Sequence, residues 1–131
     1  MSPSYLLDSS ACVPVLRNQA GLGKLPDPAL TGIPVIVAAE LWTGVKKNLS
    51  THPNQAAKLE AFLDLFLIVD FTLDMAIHYA DIRAALEAAG TPIGPVDLFI
   101  AAQARSLGAT LVTANTAEFK RVKGLKVLIW K

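Results

Sequence analysis

The sequence predicts an α/β fold, a three-layer sandwich around a central parallel sheet of about four strands. Two observations predict it. Short apolar runs alternate along the chain with longer segments of helical period, the order that parallel strands and crossover helices require. Those runs, "IPVIV" (33–37) and "TLVT" (110–113) among them, are continuous rather than alternating in and out, which marks strands covered on both faces. Length agrees: 131 residues fit one domain, 1–131, large enough to bury a core without disulfides.

In chain order, "YLLD" (5–8) reads as a buried strand that ends in a carboxylate. "SACVPVLRNQ" (10–19) reads as a helix with Ser10 as its cap, and Pro14 is compatible only with a first turn. "GLGKLPDPALTG" (21–32) is loop chemistry. "IPVIV" is the second strand, and 38–48 a helix interrupted or ended near Gly44. Residues 50–66 predict a helix with Pro53 in its first turn, and "LIVDFT" (67–72) a short strand with Thr72 as the next cap. Residues 73–90 predict the clearest helix. Met75, Tyr79, Ile82, Leu86 and Ala89 recur at spacings of four and three as one apolar stripe, and Gly90 supplies the stop. A helix over 96–107 ends at Gly108, followed by strands at 110–113 and 126–129.

Composition excludes several classes. The chain is 53% hydrophobic and 18% charged, which argues against disorder. The densest apolar patch, "LFLIV" (65–69), is far too short to cross a bilayer. The N-terminus lacks the basic start, apolar stretch and small-residue cleavage site of a secretion signal, and the single cysteine, Cys12, suits a reducing compartment. A cytoplasmic location is expected. The net charge of +1 gives no bulk attraction to nucleic acid, so any such site must be local.

In an open parallel sheet, ligands gather at the carboxyl ends of the strands. Asp8 closes the first strand, Glu40 lies in the first turn after the second, Asp97 lies in the first turn of the 96–107 helix, and Asn115 follows the third strand. Each carboxylate singly would serve as a helix cap or dipole partner, worth roughly 0.3–1 kcal/mol. Together at one sheet edge they would repel by about 4 kcal/mol per close pair at an effective dielectric near 20. Protons or a cation relieve such a cluster, and hard oxygen donors suit Mg²⁺ or Mn²⁺. Asp8, Glu40 and Asp97 are the candidate metal ligands. No Ser-His-Asp or Cys-His set is visible: His52 and His78 read as surface residues and Cys12 as a packed apolar one. The chain also lacks the G-x-G-x-x-G and P-loop motifs of a nucleotide-binding domain.

Four blocks in order, "YLLDSS", "VAAELWTG", "IGPVDLFIAAQA" and "LVTANTAEFKRVKGLKVLIW", resemble the PIN-domain ribonucleases, specifically the VapC-type toxins of toxin–antitoxin systems. The resemblance spans nearly the whole chain, and its last block is the most specific. It implies a metal-dependent endoribonuclease with a four-stranded parallel core that leaves 5′-phosphate and 3′-hydroxyl ends. Asp8, Glu40 and Asp97 match the family's three acidic metal positions, and Asn115 the fourth, which is Asp in some relatives. Ser10 stands where many relatives have Asn, Thr113 matches a hydroxyl often found beside the site, and Val37 replaces a common Ser or Thr. With three carboxylates, one tightly held Mg²⁺ is expected, and a second only when substrate phosphate adds charge. The resemblance further implies a homodimer, silenced by a cognate VapB-like antitoxin whose tail lies over the active-site groove. Helix 56–66 and the stripe of 73–89 are candidate faces for either partner, and core packing explains them equally well. Glu118, three residues after Asn115, reads as a solvated carboxylate on a short turn, with an outer ligand or a partner for a nearby base as the alternative. The cluster Lys120, Arg121, Lys123 and Lys126 reads equally as a solvated face or as RNA contacts. Two alternatives stand beside the toxin: a PIN nuclease of RNA processing, and a catalytically silent module, which neutral Asn115 would suit.

Overall fold

The computed structural model describes residues 2–18 and 24–130. Its elements run β1 (Tyr5–Leu7), α1 (Ser9–Asn18), β2 (Thr31–Pro34), α2 (Val35–Lys47), α3 (Gln55–Leu63), β3 (Leu67–Val69), α4 (Leu73–Ala88), α5 (Pro95–Leu107), β4 (Thr110–Thr113), α6 (Thr116–Phe119) and β5 (Lys126–Ile129). All five strands join one parallel sheet in the order β3-β2-β1-β4-β5, one strand more than the expected four. The chain builds outward from β1 through β2 to β3, then returns to place β4 on the other side of β1. A reversal of this kind opens a crevice at the carboxyl ends of the two central strands. Asp8 follows β1 and Asn115 follows β4, so both stand at that crevice.

Consecutive strand residues are buried together, Leu6 with Leu7 and Leu111 with Val112, as coverage of both sheet faces demands. Between β1 and β3, Gly32 leaves no room for a side chain: an added Cβ would lie 2.7 Å from Val69 Cγ2 and 3.1 Å from Leu6 Cδ2. Gly32→Ala should therefore lower stability by about 1–3 kcal/mol through overpacking. Urea unfolding checks this, and an unchanged midpoint would refute it.

Several boundaries differ from the sequence expectation, each for a physical reason. Helix α1 begins at Ser9, and its cap is Asp8 rather than Ser10: Ala11 N–H donates to Asp8 Oδ1 at 3.2 Å. Pro14 lies inside α1 rather than in its first turn, and there it removes one intrahelical bond. Residue 19 and residues 21–23 of the expected loop lie outside the described residues. Strand β2 ends at Pro34, so "VIV" (35–37) opens α2 instead of closing a strand. The buried positions Val37, Ala38, Leu41 and Val45 show the helical period that a five-residue apolar run conceals. Gly44 does not end α2, which continues to Lys47. Helix α3 is shorter than 50–66, with Pro53 in the turn before it rather than in its first turn. The strand expected over 67–72 pairs only over Leu67–Val69.

Other expectations hold. Thr72 caps α4, its Oγ1 accepting from Met75 N at 3.3 Å. Gly90 and Gly108 take positive φ beyond the ends of α4 and α5. The α4 stripe is core: Met75, Ile82 and Leu86 are buried, while Ala89, past the helix end, is exposed. Leu73 (80% exposed) and Ile77 (56%) face outward instead, so the buried stripe is not a surface for partners. One structural residue was not anticipated. Gln103 on α5 is fully buried, and its Nε2 donates to the carbonyls of Val69 (3.1 Å) and Asp70 (3.3 Å), tying α5 to the end of edge strand β3. Among the described residues no helix is long and apolar enough to cross a membrane.

Candidate active site

Asp8 is 4% exposed at the crevice floor. Its Oδ1 accepts from Ser10 Oγ at 2.6 Å and its Oδ2 from Thr113 Oγ1 at 2.5 Å. The same hydroxyls bind the chain after β4. Ala114 N–H donates to Ser10 Oγ at 2.9 Å, and Asn115 N–H to Thr113 Oγ1 at 2.9 Å. The ends of β1 and β4 are thus laced through one carboxylate and two hydroxyls, which sets the Asp8 carboxylate in a single orientation. Asp8 is at once a helix cap and a member of the acidic cluster, the two roles that the sequence posed as alternatives.

Glu40 stands further along its helix than expected, because α2 starts at Val35. It is exposed, yet it lies within the field of Asp8. Burial and then the Asp8 charge raise its pKa, against a lowering hydrogen bond from Ser9. Asp97, in the first turn of α5, is the most perturbed carboxyl of the group: its pKa is pushed up to about 7. Burial is the largest cause, followed by the hydrogen bond and charge of Glu118, then the charges of Asp8 and Glu40. The structure therefore brings Asp8, Glu40 and Asp97 into one electrostatic cluster.

Asn115 joins the cluster through Glu118. Its Nδ2 donates to Glu118 Oε2 at 3.2 Å. Glu118 is half-buried and not the solvated carboxylate expected of a turn; a hydrogen bond from Asp97 is the main cause that lowers its pKa. The pKa values of Asp97 and Glu118 are thus pushed apart, each by the other. The signal was present in the spacing, since residues three apart are neighbours on a helix. It required recognising the four-residue α6, which is too short for periodicity to reveal. Fully buried Phe119 anchors α6 and so fixes where Asn115 and Glu118 stand.

The remaining candidates fall away from the cluster. His52 is exposed and pairs with Thr51 Oγ1 at 3.0 Å. His78 is half-buried rather than a free surface residue, and its Nδ1 accepts from Arg105 Nε at 3.0 Å. Cys12 is buried among apolar residues, and burial pushes its thiol pKa far up, away from nucleophilic use. Val37 is wholly buried and supplies no hydroxyl.

Among the described residues no group of three or more His, Cys, Asp or Glu side chains is placed to hold a cation. The chemistry of the donor set nonetheless fits one. Carboxylate oxygens are hard donors, their negative charges are uncompensated, and Asp97 relieves the excess by keeping a proton that a divalent ion would displace.

A parallel five-stranded α/β fold with carboxylates at its switch point is consistent with the PIN class, and the PIN domain family model matches residues 5–125. Ribonuclease VapC2 of Rickettsia felis is 37% identical, over 96% of this chain and 97% of its own. A tRNA(fMet)-specific endonuclease VapC of Salmonella typhimurium is 33% identical, over 96% and 97%. The crystal structure of DNA-bound VapBC from Salmonella typhimurium superposes with a TM-score of 0.91 at 31% identity, covering 98% of this chain and 99% of the other. The chain belongs to the PIN-domain family, within the VapC ribonuclease toxins of type II toxin–antitoxin systems. It is a nuclease, and hence a hydrolase.

Proposed function

We propose that this ribonuclease hydrolyses RNA phosphodiesters at the cluster of Asp8, Glu40 and Asp97, with Asn115 and Glu118 on its rim and Mg²⁺ or Mn²⁺ as cofactor. The observation that supports this reading is the Asp97 carboxyl, held up at about 7 by burial and by three neighbouring carboxylates. A divalent ion, when bound, would neutralise that charge and supply Lewis acidity toward the phosphate. Asp8, immobilised by Ser10 and Thr113, and Asp97 would hold it, with Glu40 from the facing helix. Glu118, ionised and hydrogen-bonded to Asp97, would accept the proton of an attacking water. The Asn115 amide is a donor suited to a phosphate oxygen.

The test is incubation of the toxin, purified free of antitoxin, with total RNA in Mg²⁺ and in EDTA, followed by mapping of the cut ends. The first individual RNA to try is tRNA(fMet), the substrate named for a relative 33% identical. Metal-independent cleavage, or none in either condition, would refute the reading.

Proton and cation compete for Asp97, so pH should control metal affinity. Below about 7 the carboxyl is protonated, and Mg²⁺ affinity should fall by up to about tenfold per pH unit. The sign for stability is opposite. A carboxyl with a raised folded-state pKa favours the fold when protonated, so the metal-free protein loses that contribution as pH rises from the ordinary carboxylate range through about 7. Added Mg²⁺ should restore it above pH 7. Calorimetric titration between pH 5.5 and 8.5 checks both signs, and a flat metal affinity would remove Asp97 from the site.

A cognate VapB-type antitoxin is the partner implied by the VapBC complexes. The groove between α1 and α2, lined by Val13, Leu16, Leu41 and Val45 and by the polar Arg17, Glu40, Asn48 and Gln55, has a volume of about 220 Å³ and is where its tail would lie. The exposed apolar side chains Leu73 and Ile77, one turn apart on α4, are where a second copy would dock. Leu73→Glu should yield monomers in light scattering. The reading places the protein in the cytoplasm, where its RNA substrate is found.

A further inference from the structure

We propose that a second groove, between the end of α4 and the segment after α6, is a subsite for the RNA backbone, gripping two phosphates beyond the one being cleaved, one at Arg121 and one at Lys123. This rests on the nuclease reading of the acidic cluster. The groove has a volume of about 250 Å³, an apolar floor that includes Leu86 and Val122, and a rim that includes Thr91, Arg105, Arg121 and Lys123. Three cations therefore converge on one cleft in a chain whose net charge is only +1.

Among the described residues none of the three forms an ion pair; the one ion pair within 4.0 Å is Arg83–Glu87. Arg105 is fully engaged in structure: Nε donates to His78 Nδ1, and a terminal nitrogen donates to the Lys123 carbonyl at 3.2 Å. It splints the segment onto the α4–α5 hairpin, and Gly124, at φ +81°, makes the turn that follows Lys123. Arg121 is exposed and spends a single donor, to the Pro92 carbonyl at 3.1 Å, leaving most of its planar fork for a ligand. Lys123 is exposed, and its ammonium has no partner among the described residues. The pair is held in place but not neutralised.

Position decides what the groove takes. Arg121 lies in the field of Glu118, which bonds Asn115 and faces Asp97. The basic groove thus begins where the acidic cluster ends. A single RNA strand with one phosphate at the carboxylates must bring its neighbouring phosphates close to acidic side chains that repel them. Arg121 and Lys123 on the next step of the surface offset that repulsion and give the strand a direction across the site. The apolar floor suits the ribose and base faces between phosphates. Of the four basic residues in the cluster read from sequence, Arg121 and Lys123 line this groove. Lys126 opens β5 instead, and Lys120 caps α6.

The experiment measures binding of a single-stranded RNA oligonucleotide in EDTA, where no cleavage is expected, across a salt series. The proteins are the wild type, Lys123→Gln, the double variant Arg121→Gln/Lys123→Gln, and Arg121→Lys, which keeps the charge. Each lost phosphate contact should reduce the salt slope by about 0.7, so the double variant should lose about 1.4, while Arg121→Lys keeps the wild-type slope. With Mg²⁺, Lys123→Gln should raise KM with little change in kcat. Unchanged slopes in the double variant overturn the subsite, as does a loss that appears only with an acidic peptide and not with RNA. A wild type that binds RNA with the steep slope but never cleaves it would refute the nuclease reading and leave the subsite standing. Cleavage by a double variant of undiminished affinity would do the reverse.

Discussion

Asp8→Asn should reduce RNA cleavage by about 10²–10⁴-fold, the range expected when a positioned acid–base or ligand group is removed. The substitution preserves shape and takes away one negative charge. The fold should survive it. Ser10 and Thr113 contact Asp8 through hydroxyls that can reverse their donor and acceptor roles, and an amide oxygen can still accept from Ala11 N–H. Circular dichroism and antitoxin binding should therefore match the wild type while Mg²⁺ affinity falls. Retained cleavage would place the chemistry elsewhere. If the wild type also showed no metal-dependent cleavage, the silent-module alternative would be favoured.

Phe119→Ala should cost about 3–5 kcal/mol of stability, the range for emptying a fully buried aromatic site. Phe119 is 0% exposed and is the one buried residue of α6. A helix of four residues has no stability of its own, so this ring is what holds Asn115 and Glu118 against Asp97. The variant should therefore lose activity at temperatures where it is still folded, because α6 loosens before the sheet does. Thermal melts and activity measured on the same samples separate the two effects. A fall in melting temperature with full activity below the transition would show that α6 keeps its place without the ring.

Much of the fold was legible because its signals are local. Continuous apolar runs, the Thr72 cap and the glycines at 90 and 108 act within a few residues of where they stand. The failures were also local in origin. "IPVIV" is too short for its period to separate strand from helix, and only the burial of Val37, Leu41 and Val45 assigned it largely to α2. The acidic residues were visible as types at plausible positions, but their joint role was not, because it depends on residues about 90 positions apart. Glu118 shows the limit most clearly. It differs from any exposed carboxylate only through the partner that α5 brings to it.

The sequence by itself determined an α/β chain with parallel strands, the family to which it belongs, and the positions of the carboxylates relative to their own strands and helices. These follow from periodicity, capping and short motifs, which are properties of neighbouring residues. Only the tertiary structure decided that β4 returns beside β1 and opens a crevice there. It also decided that Glu118 meets Asp97, that Gln103 pins the edge strand, and that Arg121 and Lys123 face one groove while Lys126 does not. Each of these depends on distances between segments remote in the chain, and the packing of the helices against the sheet sets those distances.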